Sequence, residues 1–109
     1  MDALTRARII KTGWDIHREV EEHLLRHSAV KDGPSADWLE RQRLLLADMA
    51  IHLLQTALRP GDIELDKLRN SLHAILTISD GFLPQAGLKG ATATLYLEER
   101  DAPPHASLM

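Results

Sequence analysis

Four side chains that could bind a metal ion recur at every fourth position near the N-terminus: Asp15, Glu19, His23 and His27. Residues spaced four apart stack along one face of a helix, so the two histidines have the spacing at which two imidazoles share one metal ion. A zinc site of this type also needs a third ligand, and its protease form has Glu directly after the first His, where this chain has Leu24. The mixed charges around these residues are typical of a solvated helix face. We therefore predict no metal and no cofactor, with His23 and His27 as the candidate pair if an ion binds.

A second pattern with possible chemistry joins Arg18 to His23 across four intervening residues. This spacing resembles the Arg-x4-6-His motif of HEPN ribonucleases, helical-bundle proteins in which paired Arg and His residues meet at a dimer interface and cleave RNA without a metal. The resemblance implies His23 as general acid or base and Arg18 as stabiliser of the phosphorane-like charge. It covers six residues, lies in the first predicted helix where the family carries the motif late in the bundle, and falls among three glutamates that would repel RNA. We keep this ribonuclease as the alternative and predict that the protein is not an enzyme.

The other candidate sites have simpler interpretations. His52 and His73 fall near the apolar faces of predicted helices, where a lone histidine is more often a hydrogen-bonded boundary residue than a ligand. If the helices bring these two together, they form a polar pair. Nucleophile-elbow, phosphate-loop and dinucleotide-binding glycine motifs are absent from the sequence. The chain also has no cysteine, which excludes disulfides and thiolate chemistry.

Composition indicates one foldable domain without a nucleic-acid surface. The 109 residues are 44% hydrophobic and 27% charged, with few aromatic residues, so we expect a core of Leu, Ile, Ala and Met. Broad nucleic-acid binding needs a basic stripe, whereas the net charge is −3 and the basic patch Arg6, Arg8 and Lys11 beside Trp14 is small. No stretch approaches the ~20 apolar residues of a membrane span, and the N-terminal residues lack the apolar region of a secretion signal. We predict a cytoplasmic protein.

Three long helices are expected to position these residues. Apolar residues recur at helical spacing over residues 2–27, over 38–58 and, after a turn, over 65–82. Short connections favour antiparallel neighbours, as in up-down bundles. Residues 4–12 can alternatively be read as a short strand, because Ile9 and Ile10 are β-branched.

Capping residues and glycines predict where these helices start and stop. Asp2 is expected to cap the first helix and Asp62 the third by accepting hydrogen bonds from free backbone amides. Gly81 is placed to end the third helix in a left-handed conformation. Gly13, in the middle of the first helix, predicts a kink or a closely packed neighbour.

The last quarter of the chain has a different pattern. Residues 91–98 alternate Ala or Leu with Thr, Tyr or Glu, which is typical of a strand. A lone strand needs a partner, so this segment pairs with an N-terminal strand or a second subunit, or is instead a short helix or arm. We predict a mainly all-α fold, an antiparallel three-helix bundle with a C-terminal extended or strand-like segment. Residues 1–100 form one domain in this prediction, and 101–109 form a disordered tail.

The functional prediction is based on the second predicted helix. Its residues 44–54 are apolar around most of the helix circumference, more than two flanking helices of a thin bundle can cover. We therefore predict a non-enzymatic interaction module, an adaptor, chaperone or inhibitor of a larger protein, which forms a homodimer. Small helical proteins of this kind are expected among bacterial and phage accessory proteins. The candidate contacts are Trp38, Leu39, Arg41, Met49 and Tyr96, rich in the residue types of interface hot spots.

Overall fold

The computed structural model describes residues 1–26 and 36–96, and its regular elements within these ranges are all helical. The three long helices are α1 at Ala3–Arg26, α2 at Ala36–Leu58 and α3 at Leu65–Phe82. The prediction of a mainly helical fold is confirmed, and the alternative strand at residues 4–12 is wrong. Within the described ranges, none of the helices has both the length and the apolar character to span a membrane. The predicted tail at 101–109, like His27, lies outside the described residues.

The N-terminal cap was predicted more accurately than the ends of α3. Asp2 Oδ1 accepts a hydrogen bond of 2.7 Å from the Thr5 amide, which lowers the pKa of the Asp2 carboxyl. Helix α3, however, has Glu64 rather than Asp62 as its N-cap, without a side-chain capping bond. Glu64 instead forms ion pairs on either side of the cap, 3.1 Å from Arg59 and 3.3 Å from Lys67. The prediction that Asp62 caps α3 is wrong.

Helix α1 lies antiparallel to α2, in a register fixed by four contacts. Along α1 the pairs are Arg6 with Leu58, Ile10 with Gln55, His17 with Asp48, and Leu24 with Arg41. In these pairs the residue number increases along α1 while it decreases along α2. The predicted antiparallel arrangement is therefore confirmed for these two helices. Helix α2 also packs on α3, and the chain turns between them at Gly61, whose φ of +91° favours glycine.

The last described residues of the chain are helical where a strand-like segment was predicted. Helix α3 continues through Gly81, which does not adopt the predicted left-handed conformation; Gly87 does so instead, with φ of +69°. After it come α4 at Leu88–Ala91 and a 3-10 helix at Thr92–Tyr96, both packed on α3. The hydroxyls of Thr92 and Thr94 donate to carbonyls three residues earlier, a local bond that a strand would lose. For residues 91–96 the strand-like prediction is therefore wrong, and the alternative of a short helix on the bundle is confirmed.

The seam between the helices is polar and small rather than apolar. Among the described residues no apolar side chain is buried, so the predicted core of Leu, Ile, Ala and Met is wrong. The buried positions are Gly13, Asp48, Gln55, Thr56 and Ser71. Short or hydrogen-bonding side chains thus occupy the buried positions, and the long apolar side chains of the described residues are only partly covered.

Gly13 lies where α1 approaches α2 most tightly. A Cβ built at Gly13 would lie 2.6 Å from Nε2 of Gln55, so the predicted close neighbour of this glycine is confirmed. That Nε2 donates a 2.6 Å hydrogen bond to the Ile10 carbonyl, while the buried Oε1 has no hydrogen-bond partner within the described part of the chain. Displacement of the amide would leave both of its polar atoms unsatisfied.

We expect Gly13→Ala to lower the free energy of unfolding by about 1 kcal/mol. The loss of a buried hydrogen bond, about 1–3 kcal/mol, outweighs the gain in helix propensity, about 1 kcal/mol. Urea denaturation measures the difference. In a Gln55→Ala background the clash is absent, and the same substitution should stabilise by about 0.5–1 kcal/mol. Stabilisation in both backgrounds would show that Gln55 does not restrict this position.

Candidate functional site

An open groove runs between α1 and α3 and has α2 as its floor. Its volume is about 670 Å³, and its lining is mostly apolar. A second depression of about 610 Å³ continues it toward the N-terminus, because both include Ile10, Trp14 and Pro60. We call the combined surface the Trp14 groove. Its lining includes Ile10 and Trp14 from α1, Met49 and His52 from α2, and Asn70 and Ser71 from α3.

Trp14 is the largest side chain in this groove and is 43% exposed. Its position follows from Gly13 and the antiparallel register, which bring α1 close to α2 and direct the indole toward His52. The sequence prediction had placed Trp14 only at the edge of a small basic patch. In the structure Arg6 from that patch donates to the Leu58 carbonyl at 2.7 Å, and Lys11 pairs with Asp15 at 3.1 Å. Two of the three basic side chains of this patch thus bind groups of the same chain.

Next to Trp14, two histidines flank a buried carboxylate; we call His17, Asp48 and His52 the His-Asp-His cluster. His17 Nδ1 lies 2.5 Å from Asp48 Oδ1, and His52 Nε2 lies 3.5 Å from Asp48 Oδ2. The imidazole centroids are 5.0 Å apart, and Trp14 packs edge-on against both, at 5.4 and 5.8 Å. Asp48 is only 8% exposed. Two imidazoles thus share one carboxylate at the α1–α2 contact.

The spacing of two residues along α2 explains part of the His-Asp-His cluster. Asp48 and His52 are four apart on α2 and therefore share a face. His17 comes from α1, opposite Asp48 in the antiparallel register. On its other ring nitrogen, His17 Nε2 lies 3.6 Å from Glu21 Oε2, one turn further along α1. The chain of polar groups therefore runs from exposed Glu21 through His17 to buried Asp48.

The metal and ribonuclease candidates from the sequence are not assembled into a site. His23 is exposed on α1, and His27 lies outside the described residues. Arg18 pairs with Asp15 at 2.6 Å, and five residues of helix separate the Arg18 and His23 directions by roughly 140°. Asp15 also accepts a hydrogen bond from Lys11, which lowers the pKa of its carboxyl. Within one subunit, the described structure does not bring the Arg and His of the HEPN-like pattern together.

The predicted contact residues are divided between two places. Trp38, Leu39 and Arg41 lie at the start of α2, where Leu39 is 45% exposed and Arg41 donates to the Leu24 carbonyl at 3.3 Å. Met49 lines the Trp14 groove. Tyr96 Oη donates to Asn70 Oδ1 at 2.8 Å, so Tyr96 touches the rim of the same groove through Asn70.

Sequence reasoning did not identify His17, and it treated His52 as a lone boundary residue or as an alternative partner of His73. His73 lies against Tyr96, with ring centroids 6.1 Å apart, whereas His52 belongs to the His-Asp-His cluster. The alternative in which His52 and His73 form a polar pair is therefore wrong. The available signal was a histidine with a carboxylate four residues away on each helix, at His17 with Glu21 and at Asp48 with His52.

Comparison of the chain with protein-family models, with curated proteins and with solved structures finds no significant match.

Proposed function

We propose that this protein is a non-enzymatic interaction module, a cytoplasmic adaptor, chaperone or inhibitor, that forms a homodimer through the Trp14 groove. The observation that carries the proposal is the absence of any buried apolar side chain among the described residues, although α2 is rich in leucine. Apolar surface contributes to stability roughly in proportion to the area removed from water. A second polypeptide over the groove supplies the burial that these three helices do not provide.

Helix α1 of a second copy is the occupant that the charges favour. Residues 3–14 of α1 hold three basic and no acidic residues, whereas residues 15–26 hold four acidic and two basic ones. Two α1 helices related by a twofold axis and lying antiparallel therefore place each basic half beside an acidic half. An interface of this symmetry uses the same surface twice.

Trp14 lies at the centre of this arrangement. It is adjacent to the midpoint of α1, Ala3–Arg26, so a twofold axis through the midpoint brings the two Trp14 side chains together. Interface hot spots are enriched in tryptophan and cluster near the interface centre. The long side chains at the ends of α1, Leu4 at 79% and Leu25 at 69% exposure, would then gain cover from the opposite end of the partner helix.

Light scattering after size exclusion tests the homodimer directly. We expect a mass of twice 12.2 kDa and a melting temperature that rises with protein concentration. Because opposite charges meet across the interface, higher salt should weaken the dimer. A mass of 12.2 kDa at every concentration would contradict the homodimer. Association that strengthens with salt would argue against the charge pairing of α1 but not against apolar contact.

A further inference from the structure

We propose that the His-Asp-His cluster is a binding site for a divalent transition-metal ion of the zinc class. The ligand atoms are Nδ1 of His17, a carboxylate oxygen of Asp48 and Nε2 of His52. These atoms all lie within 4.8 Å of one another. They come from two helices, so a bound ion joins α1 to α2. This inference goes beyond the proposed function and does not depend on it.

The spacing of the ligand atoms is compatible with a small tetrahedral ion. Zinc bonds of about 2.0–2.2 Å at tetrahedral angles separate neighbouring ligand atoms by roughly 3.4 Å. His52 Nε2 lies at about this distance, 3.5 Å, from Asp48 Oδ2, whereas His17 Nδ1 lies only 2.5 Å from the other carboxylate oxygen, Oδ1. Entry of an ion therefore requires His17 Nδ1 and the carboxylate to separate by about 1 Å.

Burial distinguishes this cluster from ordinary surface carboxylates. Asp48 is 8% exposed and lies between two imidazoles, and the Trp14 ring packs edge-on against both of them. A buried carboxylate is costly unless it is paired with a cation or with hydrogen-bond donors. In this structure the two imidazoles meet that need, and a divalent ion bound by the same three residues would supply positive charge directly.

Glu21 completes the arrangement on the outer side of His17. Metal binding through Nδ1 places the ring proton of neutral His17 on Nε2, which lies 3.6 Å from Glu21 Oε2. Histidines that bind metals usually donate their other ring N–H to a carboxylate, carbonyl or water, which fixes the tautomer and orients the ring. A shortening of this distance to hydrogen-bond length on metal binding would let Glu21 orient the ring from the same helix turn.

The ligand types select the ion. Two imidazoles and one carboxylate suit zinc, cobalt, iron or nickel, whereas magnesium and calcium prefer sets of oxygen ligands. Three protein ligands leave a fourth tetrahedral position for water or another small ligand.

Thermal unfolding of the full chain with Zn²⁺ as the probe tests the site. An ion that binds only the folded state raises the melting temperature, by about 10 °C at one hundred times its Kd. We expect this rise after EDTA treatment and zinc addition, and none with Mg²⁺. Co²⁺ should bind once per chain with the visible absorption bands of a four-coordinate ion. No rise with Zn²⁺ and no such Co²⁺ spectrum would overturn the proposal.

Substitutions of the proposed metal-binding residues test where zinc binds. His17→Ala and His52→Ala should each weaken zinc binding by more than about 100-fold, and Glu21→Gln by about 10-fold. His23→Ala is the matched control, since it removes an exposed histidine of the same helix and should leave the zinc response unchanged. If His17→Ala does not fold, His52→Ala decides, because its side chain is 38% exposed. Zinc binding that survives His52→Ala, or is lost in His23→Ala, would refute the assignment whatever the oligomeric state.

Discussion

Trp14→Glu is expected to convert the homodimer into a monomer, with its dissociation constant raised at least about 100-fold, equivalent to about 2.7 kcal/mol. The substitution removes the largest apolar side chain of the Trp14 groove. It also places two carboxylates near the proposed twofold axis, where like charges repel. Light scattering across a dilution series measures the shift in dissociation constant.

Phe82→Glu is the matched control for this prediction. Phe82 is an aromatic residue of nearly equal exposure, 42% against 43%, at the end of α3 and outside the groove lining. It should leave the dimer intact. Because Trp14 also contacts two imidazoles, circular dichroism must show that the helices persist, and Trp14→Phe should weaken the dimer only partly. An unchanged dimer in Trp14→Glu, or equal dissociation in Phe82→Glu, would place the interface elsewhere.

Helix positions were predictable because they depend on local periodicity. The apolar stripe over 65–82 predicted the extent of α3, and the end of α2 at Leu58 was also predicted. The capping groups within these ends were less predictable. Asp62 and Gly81 have suitable residue types, but Glu64 and Gly87 occupy the capping and left-handed positions. Several neighbouring residues can satisfy the same backbone groups, and tertiary contacts choose among them.

The prediction of the interior was wrong because the buried positions depend on contacts between two helices. Hydrophobicity alone favours a leucine core, yet the closest helix contact uses Gly13 against Gln55. A small residue allows the two backbones to approach, and the amide then bonds the Ile10 carbonyl. Such a choice depends on which residues face each other, and a single sequence does not specify that register.

The His-Asp-His cluster also depends on which residues of two helices face each other. The spacing of Asp48 and His52 was visible in the sequence, as was that of His17 and Glu21. Each pair alone is a common feature of solvated helices. Only the antiparallel pairing of α1 with α2 brings His17 within 2.5 Å of Asp48 and makes one site of two ordinary helix faces.

Asp48→Ala should then be the most destabilising of the single substitutions in that site. We expect a loss of about 2–3 kcal/mol in the free energy of unfolding and a fall in melting temperature of about 10 °C or more. The substitution removes the carboxylate that pairs with His17 at 2.5 Å and with His52 at 3.5 Å, and leaves both imidazoles without it. Urea and thermal denaturation in EDTA measure the effect without any contribution from metal.

The matched control for Asp48 is Asp66→Ala, which removes an 85% exposed carboxylate paired with Arg69 at 3.1 Å. Exposed ion pairs contribute little, so this change should cost less than about 1 kcal/mol. In a His17→Ala background Asp48→Ala should destabilise the protein less, because the destabilising effects of substitutions within one hydrogen-bonded group are not additive. Full additivity of the two substitutions would mean that Asp48 stabilises the protein independently of His17, and that the α1–α2 contact is held by other residues.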